Sequence, residues 1–243
     1  MAEKTADVAT QKLPQNIEEM LKAGAHFGFL KSRRHPSFKS YICGTKNMTE
    51  VIDLEKTDEL LKKAEEFVSE LGKNKKTILF AASKSEAKDI VRKYAEEIGM
   101  PFVAGRWIGG ALTNFGEIKK RIARLNELVD KREKGELMKY TKKERLMFDR
   151  EIENLTEMFS GLKNLSKIPD AVFVVDSKKE EIAVAEAKKT KVPVIALLSS
   201  DCDIKEIKYP IPGNDASKAS IEYFVSRITN AYKKGIADAT PVV

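Results

Sequence analysis

The sequence has few residues that bind metals or form disulfides. Its 243 residues include two cysteines and two histidines, and none of the four shows the spacing of a zinc site or of a disulfide framework. They are Cys43, Cys202, His26 and His35. We therefore expect no metal, no disulfide and reduced thiols, as in a cytoplasmic protein.

Long apolar runs are also missing. The longest, around 192–198, is far shorter than the roughly 20 residues that a membrane helix requires. The segment 1–11 contains no apolar run of the kind found in secretion signals. We expect a protein that is neither secreted nor inserted in a membrane.

The fingerprints of nucleotide-binding enzymes are absent. No GxxxxGK[ST] loop occurs, and Gly109-Gly110 lacks the third glycine of a dinucleotide site. Neither histidine lies beside a nucleophile. Asp176 and Asp201 follow predicted strands and are acid-base candidates, although carboxylates there more often cap the next helix. We predict no catalytic residue, cofactor or small-molecule substrate, and we keep a doubly wound nucleotide-binding enzyme as the alternative.

One stretch lacks acidic residues altogether. Lys+Arg exceed Asp+Glu by 44 to 37, giving a net charge of +7, and no acid occurs between Met20 and Thr49. The cations there are interleaved with aromatic residues, a combination typical of RNA-binding segments, although a solvated charged face is the alternative. Glycines and Pro36 predict a basic loop. Its candidate RNA-binding residues are Lys31, Arg33, Arg34, His35, Lys39 and Lys46.

The segment 117–163 predicts an antiparallel helical hairpin. Apolar residues recur about every 3.5 positions in each half, the spacing of a coiled-coil seam, and Lys134-Gly135 marks the reversal. A helix pair packed into a globular core is the alternative. The seam residues are Ile118, Ile122, Leu125 and Val129 in the first half, and Phe148, Ile152, Leu155, Phe159 and Leu162 in the second.

Around the hairpin, strands and helices alternate. The runs 78–82, 171–175 and 194–198 are continuously apolar, which indicates parallel strands covered on both faces. We predict an α/β fold with an open, doubly wound sheet. Further strands are expected at 50–54 and 101–104, helices at 55–72, 85–98, 180–189 and 216–234, and helix caps at Asn16 and at Asn214 or Asp215. The predicted units are a flexible arm (1–15), a sheet domain (16–116 and 164–235), the hairpin (117–163) and a short tail (236–243).

The stretch 105–115 is the most unusual in composition. It holds the only tryptophan, two consecutive glycines and one charge. Trp107 and Leu112 can fill the base of the hairpin, while its polar residues line a rim that contacts a partner. The candidate RNA-binding residues in this stretch are Arg106, Trp107, Thr113 and Asn114, and those on the following helix are Lys119, Lys120 and Arg124.

Six stretches together resemble bacterial small-subunit ribosomal protein S2. The most specific are RWIGGALTN (106–114) and PIPGND (210–215). The others are MLKAGAHFG (20–28), IDLEKT (52–57), the TKKE core of 137–146, and PDAVFVVD (169–176). The chain departs from the family pattern at Phe29, where a second histidine is usual, and at Arg34-His35, where Trp-Asn is usual.

The resemblance implies a flavodoxin-like sheet with an inserted coiled-coil hairpin. It also implies a non-enzymatic structural protein of the small ribosomal subunit in the cytoplasm, active in translation. Its expected partners are small-subunit rRNA, neighbouring ribosomal proteins and the large messenger-binding ribosomal protein numbered one. A free-standing adaptor that uses the arm for protein contacts is a further alternative.

Overall fold

Five parallel strands form the centre of the molecule. The computed structural model describes residues 14–163, 165 and 167–239. The helices are α1 Gln15–Lys22, α2 Leu54–Lys73, α3 Ser85–Glu97, α4 Phe115–Glu133, α5 Lys142–Phe159, α6 Glu181–Lys189 and α7 Lys218–Asp238. The strands are β1 Phe27–Leu30, β2 Ile42–Lys46, β3 Thr49–Ile52, β4 Ile78–Ala82, β5 Phe102–Ala104, β6 Ala171–Val175, β7 Val194–Leu198 and β8 Tyr209–Pro212. No helix in these ranges is long and apolar enough to span a membrane.

The strand order of the sheet confirms the predicted fold class. The order is β5-β4-β6-β7-β8 and every pairing is parallel. Counted within this sheet, the order is 2-1-3-4-5, the flavodoxin-like arrangement. Phe80 and Phe173 pair in register and face α2, α3 and α7, whereas Leu79 and Val172 face α6 and the α4–α5 pair. Both faces are thus covered, which explains why the strands are apolar throughout.

Strand β8 was not predicted as a strand. It contains two prolines, Pro210 and Pro212, and proline lacks the backbone N–H that other strand residues donate within a sheet. The structure places β8 at the edge of the sheet, paired with β7 alone. A proline can occupy an edge strand because its missing N–H would have pointed away from the sheet.

Helices α4 and α5 form the predicted antiparallel pair. Gly135 adopts the left-handed conformation (φ +71°) at the predicted reversal, and Arg124 of α4 pairs with Glu151 of α5 across the two helices. The predicted seam residues all belong to one apolar cluster, with Val129 and Phe148 partly buried at its margin. The pair replaces the usual single crossover helix between β5 and β6. That the two helices wind into a coiled coil stays a prediction from their 3.5-residue spacing.

The predicted basic loop is a small antiparallel sheet. Strands β1, β3 and β2 pair in that order, and we call residues 27–52 the antiparallel module. Short 3-10 helices, Lys31–Arg33 and Pro36–Tyr41, separate its first two strands. Sequence patterns missed β1 and β2 because each is short and neither alternates polar with apolar residues over enough positions to show a period.

Two predicted helix caps differ in the structure. Helix α1 begins at Gln15 after Pro14, and Asn16 instead contacts Asp58 and Arg227 through its side chain. Near α7, Asn214 caps the preceding turn by accepting the N–H groups of residues 216 and 217. Asp215 makes a buried ion pair instead. The side chains of Asn16 and Asp215 thus make tertiary contacts instead of capping the nearest helix.

The predicted domain limits stay predictions. Most of the predicted arm, 1–15, lies outside the described residues, although Gln15 already belongs to α1. Helix α7 continues to Asp238, four residues past its predicted end. Residues 236–238 of the predicted tail are therefore helical.

We expect the Leu125→Ala variant to be about 2–5 kcal/mol less stable than the wild type, because the fully buried side chain leaves a cavity between α4 and α5. Hydrogen exchange of the α4 and α5 amides and urea denaturation measure this loss. Leu146→Ala is the matched control, since Leu146 lies on α5 with half its surface exposed. Equal effects of the two substitutions would contradict the buried seam.

Candidate nucleic-acid interface

The crevice where flavodoxin-like proteins bind ligands is closed by a lysine whose side chain is 11% exposed. Such ligands bind beyond the carboxyl ends of the strands, at the point where the strand order reverses, which here lies between β4 and β6. The ammonium group of Lys84, just after β4, lies 2.7 Å from Asp176 and 2.8 Å from Asp215. Burial alone lowers the pKa of Lys84, but the two carboxylates raise it above its ordinary value. The lysine is therefore charged and holds the ends of three segments together.

Asp176, Cys202 and Asp215 form a cluster that sequence spacing did not indicate. Their potential ligand atoms lie within 4.8 Å of one another. Burial raises the pKa of Cys202 to about 12, so its thiol keeps its proton in this cluster. Lys84 already supplies the positive charge between the two carboxylates. The donor set thus fits a charge-balanced ion cluster better than a metal site.

The antiparallel module covers this same edge of the sheet. The backbone N–H of Phe29 donates to Ser200 Oγ at 2.9 Å, and that of His35 donates to the Ser200 carbonyl at 2.8 Å. The Phe29 ring centre lies 5.7 Å from the Lys84 ammonium, within cation–π distance. Module and ion cluster together occupy the crevice that the nucleotide-binding alternative requires.

A single buried carboxylate organises the stretch 105–115. Glu186 on α6 accepts hydrogen bonds from the indole N–H of Trp107 (3.2 Å), from the backbone N–H groups of Gly110 (2.7 Å), Leu112 (3.0 Å) and Thr113 (3.2 Å), and from the Thr113 hydroxyl (3.2 Å). Burial by itself raises the pKa of Glu186, but these donors bring it below the ordinary value. Glu186 is therefore ionised and fixes the entry of the chain into α4.

The six candidate residues of the basic stretch divide into two groups. Lys31, Arg33, Lys39 and Lys46 are exposed, and none makes an ion pair with a described residue. Arg34, in contrast, donates to the fully buried Glu50 at 3.0 Å. Both oxygens of such a carboxylate need partners, and only Oε1 of Glu50 has one among the described residues. Arg34 is thus committed to the fold.

His35 is also engaged within the protein. Its Nδ1 lies 2.7 Å from the Ser37 hydroxyl, which in turn donates to Asp203 at 2.8 Å. The ring therefore links the module to the segment that follows β7. This position leaves the imidazole half-buried.

The candidates around the base of α4 also divide. Trp107 is buried, and its indole N–H is used by Glu186, so the ring offers no surface to RNA. Arg106 is exposed, as is Asn114, which precedes α4 without capping it through its side chain. Thr113 is exposed but donates its hydroxyl to Glu186.

On α4 itself, Lys119 is exposed and makes no ion pair with a described residue. Lys120 pairs with Glu117 at 2.6 Å, and Arg124 pairs with Glu127 and Glu151 at 3.3 Å. These pairs are solvent-exposed, and such pairs contribute only about 0–1 kcal/mol each. Both cations can therefore exchange their partners for phosphate at little cost.

Sequence reasoning missed Glu186, Lys84 and Asp215 as organising residues. One signal for Glu186 was present, because it shares the apolar face of α6 with Ala183 and Ala187. A lone acid at such a position indicates a buried partner. No local pattern marks Lys84 and Asp215, whose pairing spans 131 residues.

Comparison with known proteins matches the chain to a family over most of its length. The family model described as ribosomal protein S2 matches residues 20–235. The chain belongs to the ribosomal protein S2 family. This confirms the family predicted from the six motifs, and with it the prediction that the chain is not an enzyme.

Relatives named "Small ribosomal subunit protein uS2" occur in several bacteria. The relative from Salinibacter ruber is 43% identical over 222 residues, covering 91% of this chain and 69% of the relative. Those from Coprothermobacter proteolyticus and Thermus thermophilus are each 42% identical, over 90% and 93% of this chain and over 82% and 89% of their own lengths. The family fold therefore spans nearly the whole chain.

We expect Glu186→Ala to lower the free energy of unfolding by about 3 kcal/mol, because it leaves buried donors without an acceptor. The buried ring of Trp107 loses the contact that holds its loop in place and becomes accessible to water in this variant, so its fluorescence emission should shift to longer wavelength. Glu181→Ala is the control, since Glu181 is exposed on the same helix. Equal stability of the two variants would show that the carboxylate does not hold the loop.

The raised pKa of Asp215 predicts a specific pH dependence of the free energy of unfolding. Burial raises its pKa from 3.8 to about 6 in the folded state. The folded protein thus binds this proton more tightly than the unfolded chain, and its stability falls as the pH rises through 6. Between pH 5 and 7 this contribution amounts to about 1 kcal/mol.

Urea denaturation of the wild type and of Asp215→Asn at both pH values isolates this contribution. The difference in unfolding free energy between the two proteins should change by about 1 kcal/mol, with the wild type losing stability toward pH 7. Asp89→Asn, at an exposed position on α3, is the control, and the difference in unfolding free energy between it and the wild type should be the same at both pH values. For Asp215→Asn, a difference independent of pH would refute the assignment to Asp215.

Proposed function

We propose that this chain is a structural component of the small ribosomal subunit that binds small-subunit rRNA. Family membership supports the ribosomal role. The observation that carries the RNA assignment is that the antiparallel module presents four cations that make no ion pair with a described residue. Contacts of Phe29 with Ser200 and of Ser37 with Asp203 anchor the module beside the sheet. A rigid, positively charged surface fits the phosphate backbone of a folded RNA.

The proposed RNA surface is smaller than the sequence suggested. Its main phosphate contacts are Lys31, Arg33, Lys39 and Lys46 on the module, with Arg106 and Lys119 near the base of α4. Asn114 lies between Arg106 and Lys119 in the sequence, and its side-chain amide can donate a hydrogen bond to phosphate. Lys120 and Arg124 extend the surface along α4. We exclude Trp107, Arg34, His35 and Thr113, because their polar groups are used within the fold.

Neighbouring ribosomal proteins are the second class of partner that we propose. The module carries exposed apolar side chains beside its cations, notably Phe27, Leu30 and Met48. The backbone N–H of Lys31 donates to the Met48 carbonyl, which brings the end of β1, the strand of Phe27 and Leu30, next to the β2–β3 turn that carries Met48. Clustered apolar residues with a polar rim are typical of protein contacts. This surface is the proposed dock for the large messenger-binding ribosomal protein numbered one.

The closed crevice argues against a nucleotide-binding enzyme in this chain. A nucleotide would have to displace both the Lys84 ion cluster and the module. Family membership supports a location in the ribosome, and we propose that the protein lies in the cytoplasm. Co-sedimentation of the chain with small subunits in about equal amount tests this placement.

Replacing both Arg33 and Lys39 by Ala should weaken binding to purified small-subunit rRNA by about tenfold at low salt. The slope of log K against log salt should become shallower by about 1.5, because two fewer phosphates are neutralised. A filter-binding titration at several salt concentrations measures both quantities. The proposal fails if the slope of the double variant equals that of the wild type.

Two controls separate binding from folding. Lys63→Gln with Lys93→Gln removes the same charge from exposed positions in the middle of α2 and α3, and should leave the salt slope unchanged. Arg34→Ala removes the partner of the buried Glu50 and should cost about 3–5 kcal/mol of stability. Arg34→Ala should thus lower the urea midpoint, whereas the Arg33 and Lys39 substitutions should not.

A further inference from the structure

The edge of the sheet opposite the module is rich in lysine. In a parallel sheet all strands begin at one edge, and here the loops before β4, β6, β7 and β8 form it. We call it the amino edge. Its exposed lysines without an ion pair to any described residue include Lys75 before β4, Lys189 and Lys191 before β7, and Lys208 before β8.

Two acids in the loops of the amino edge are already neutralised. Asp170 accepts from Lys76 at 3.0 Å and lies 3.6 Å from Lys167. Glu206 pairs with Lys188 at 2.9 Å. The loops of this edge therefore keep more lysines than acids. One exposed acid without an ion pair to a described residue, Glu70 in the last turn of α2, lies close to Lys75.

Helix C-termini also lie at this edge, and lysines are common there because they offset the helix dipole. That explanation covers Lys189, in the last turn of α6. It does not cover Lys75 and Lys191, which lie one residue beyond the caps of α2 and α6. Their φ angles are +50° and +58°, in the left-handed region that side chains with a Cβ avoid.

Both lysines close the same backbone motif. Lys75 N–H donates to the Gly72 carbonyl and Lys76 N–H to that of Leu71, and residues 191 and 192 repeat this pattern at the end of α6. These are Schellman motifs, in which glycine is the preferred residue at the left-handed position. The chain itself uses Gly24 and Gly99 for the same position after α1 and α3.

A lysine that occupies a position suited to glycine indicates a use for its side chain. We propose that the amino edge is a second surface for the RNA backbone, with Lys75, Lys191 and Lys208 as its main phosphate contacts. This inference rests on the proposed function, since it assigns a second RNA-binding site to the same protein. Three strand spacings of about 4.8 Å separate β4 from β8, so the lysines span about 14 Å.

The composition of the edge favours RNA over a protein partner. Lysine is depleted in protein interfaces, which are built on apolar and aromatic anchors. The Tyr209 ring beside Lys208 is half-buried and stacked on Phe67 at 4.2 Å, and the Tyr232 ring, whose hydroxyl donates to the Lys76 carbonyl, is buried. The edge therefore fits phosphates and offers no platform for bases.

The test is the double variant Lys75→Gly with Lys191→Gly. Glycine removes the charge and relieves the left-handed strain, so we expect a higher urea midpoint together with weaker binding to purified small-subunit rRNA. Affinity at low salt should fall about tenfold, and the salt slope should become shallower by about 1.5, as for the Arg33 and Lys39 variant. Lys63→Gln with Lys93→Gln is the control of equal charge, and Lys75→Arg with Lys191→Arg should retain binding.

The possible outcomes separate this inference from the proposed function. Unchanged RNA binding by the glycine variant, while the Arg33 and Lys39 variant binds weakly, overturns the amino edge alone. A wild-type protein that does not bind the rRNA overturns both proposals. If the glycine variant loses stability, the Lys208→Glu variant tests RNA binding at the amino edge instead, because residue 208 does not have a left-handed backbone. Unchanged RNA binding by Lys208→Glu also overturns the inference.

Discussion

The ammonium group of Lys84, held between two buried carboxylates, is the constraint on which the rest of the structure depends. Asp176 ends β6 and Asp215 follows β8, so one charged group joins the ends of strands that are separated in the sheet. Burying these three charges costs desolvation free energy, which their mutual attraction offsets only while all three stay together. The carboxyl edge of the sheet is consequently fixed, and the antiparallel module rests on a rigid base.

This arrangement turns a fold often used for catalysis into a scaffold. Flavodoxin-like proteins bind ligands in an open crevice where the strand order reverses. Here the crevice is filled from below by Lys84 and from above by Phe29, whose ring lies 5.7 Å from the ammonium group. An ion cluster of this kind needs no ligand to be complete, so the chemistry of the edge serves stability and leaves binding to the outer surface.

Periodic features of the fold could be predicted from the sequence, whereas pairings between distant residues could not. The continuous apolarity of β4, β6 and β7 follows from burial on both faces, and the seam between α4 and α5 follows from helical spacing, so both were visible locally. Glu186, in contrast, meets Trp107 across 79 residues, and Arg34 meets Glu50 only because three short strands form a sheet. Such contacts depend on the tertiary fold, and no local pattern specifies them.

The same limit applies to the candidate site. Composition identified a stretch of cations without acids, but it could not distinguish an exposed Arg33 from Arg34, which neutralises a buried carboxylate. Composition also did not indicate the amino edge, because each loop there contributes only one or two lysines without an ion pair to a described residue. Only the folded sheet brings these lysines into one row. The five-residue strands separate this row from the module by about 16 Å. A single RNA helix lying across one edge cannot follow both proposed surfaces without bending around the sheet, so the two proposals together imply two RNA segments held at a fixed distance. Holding segments apart in this way requires a rigid slab between them, which is what the buried ion cluster and the doubly covered strands provide.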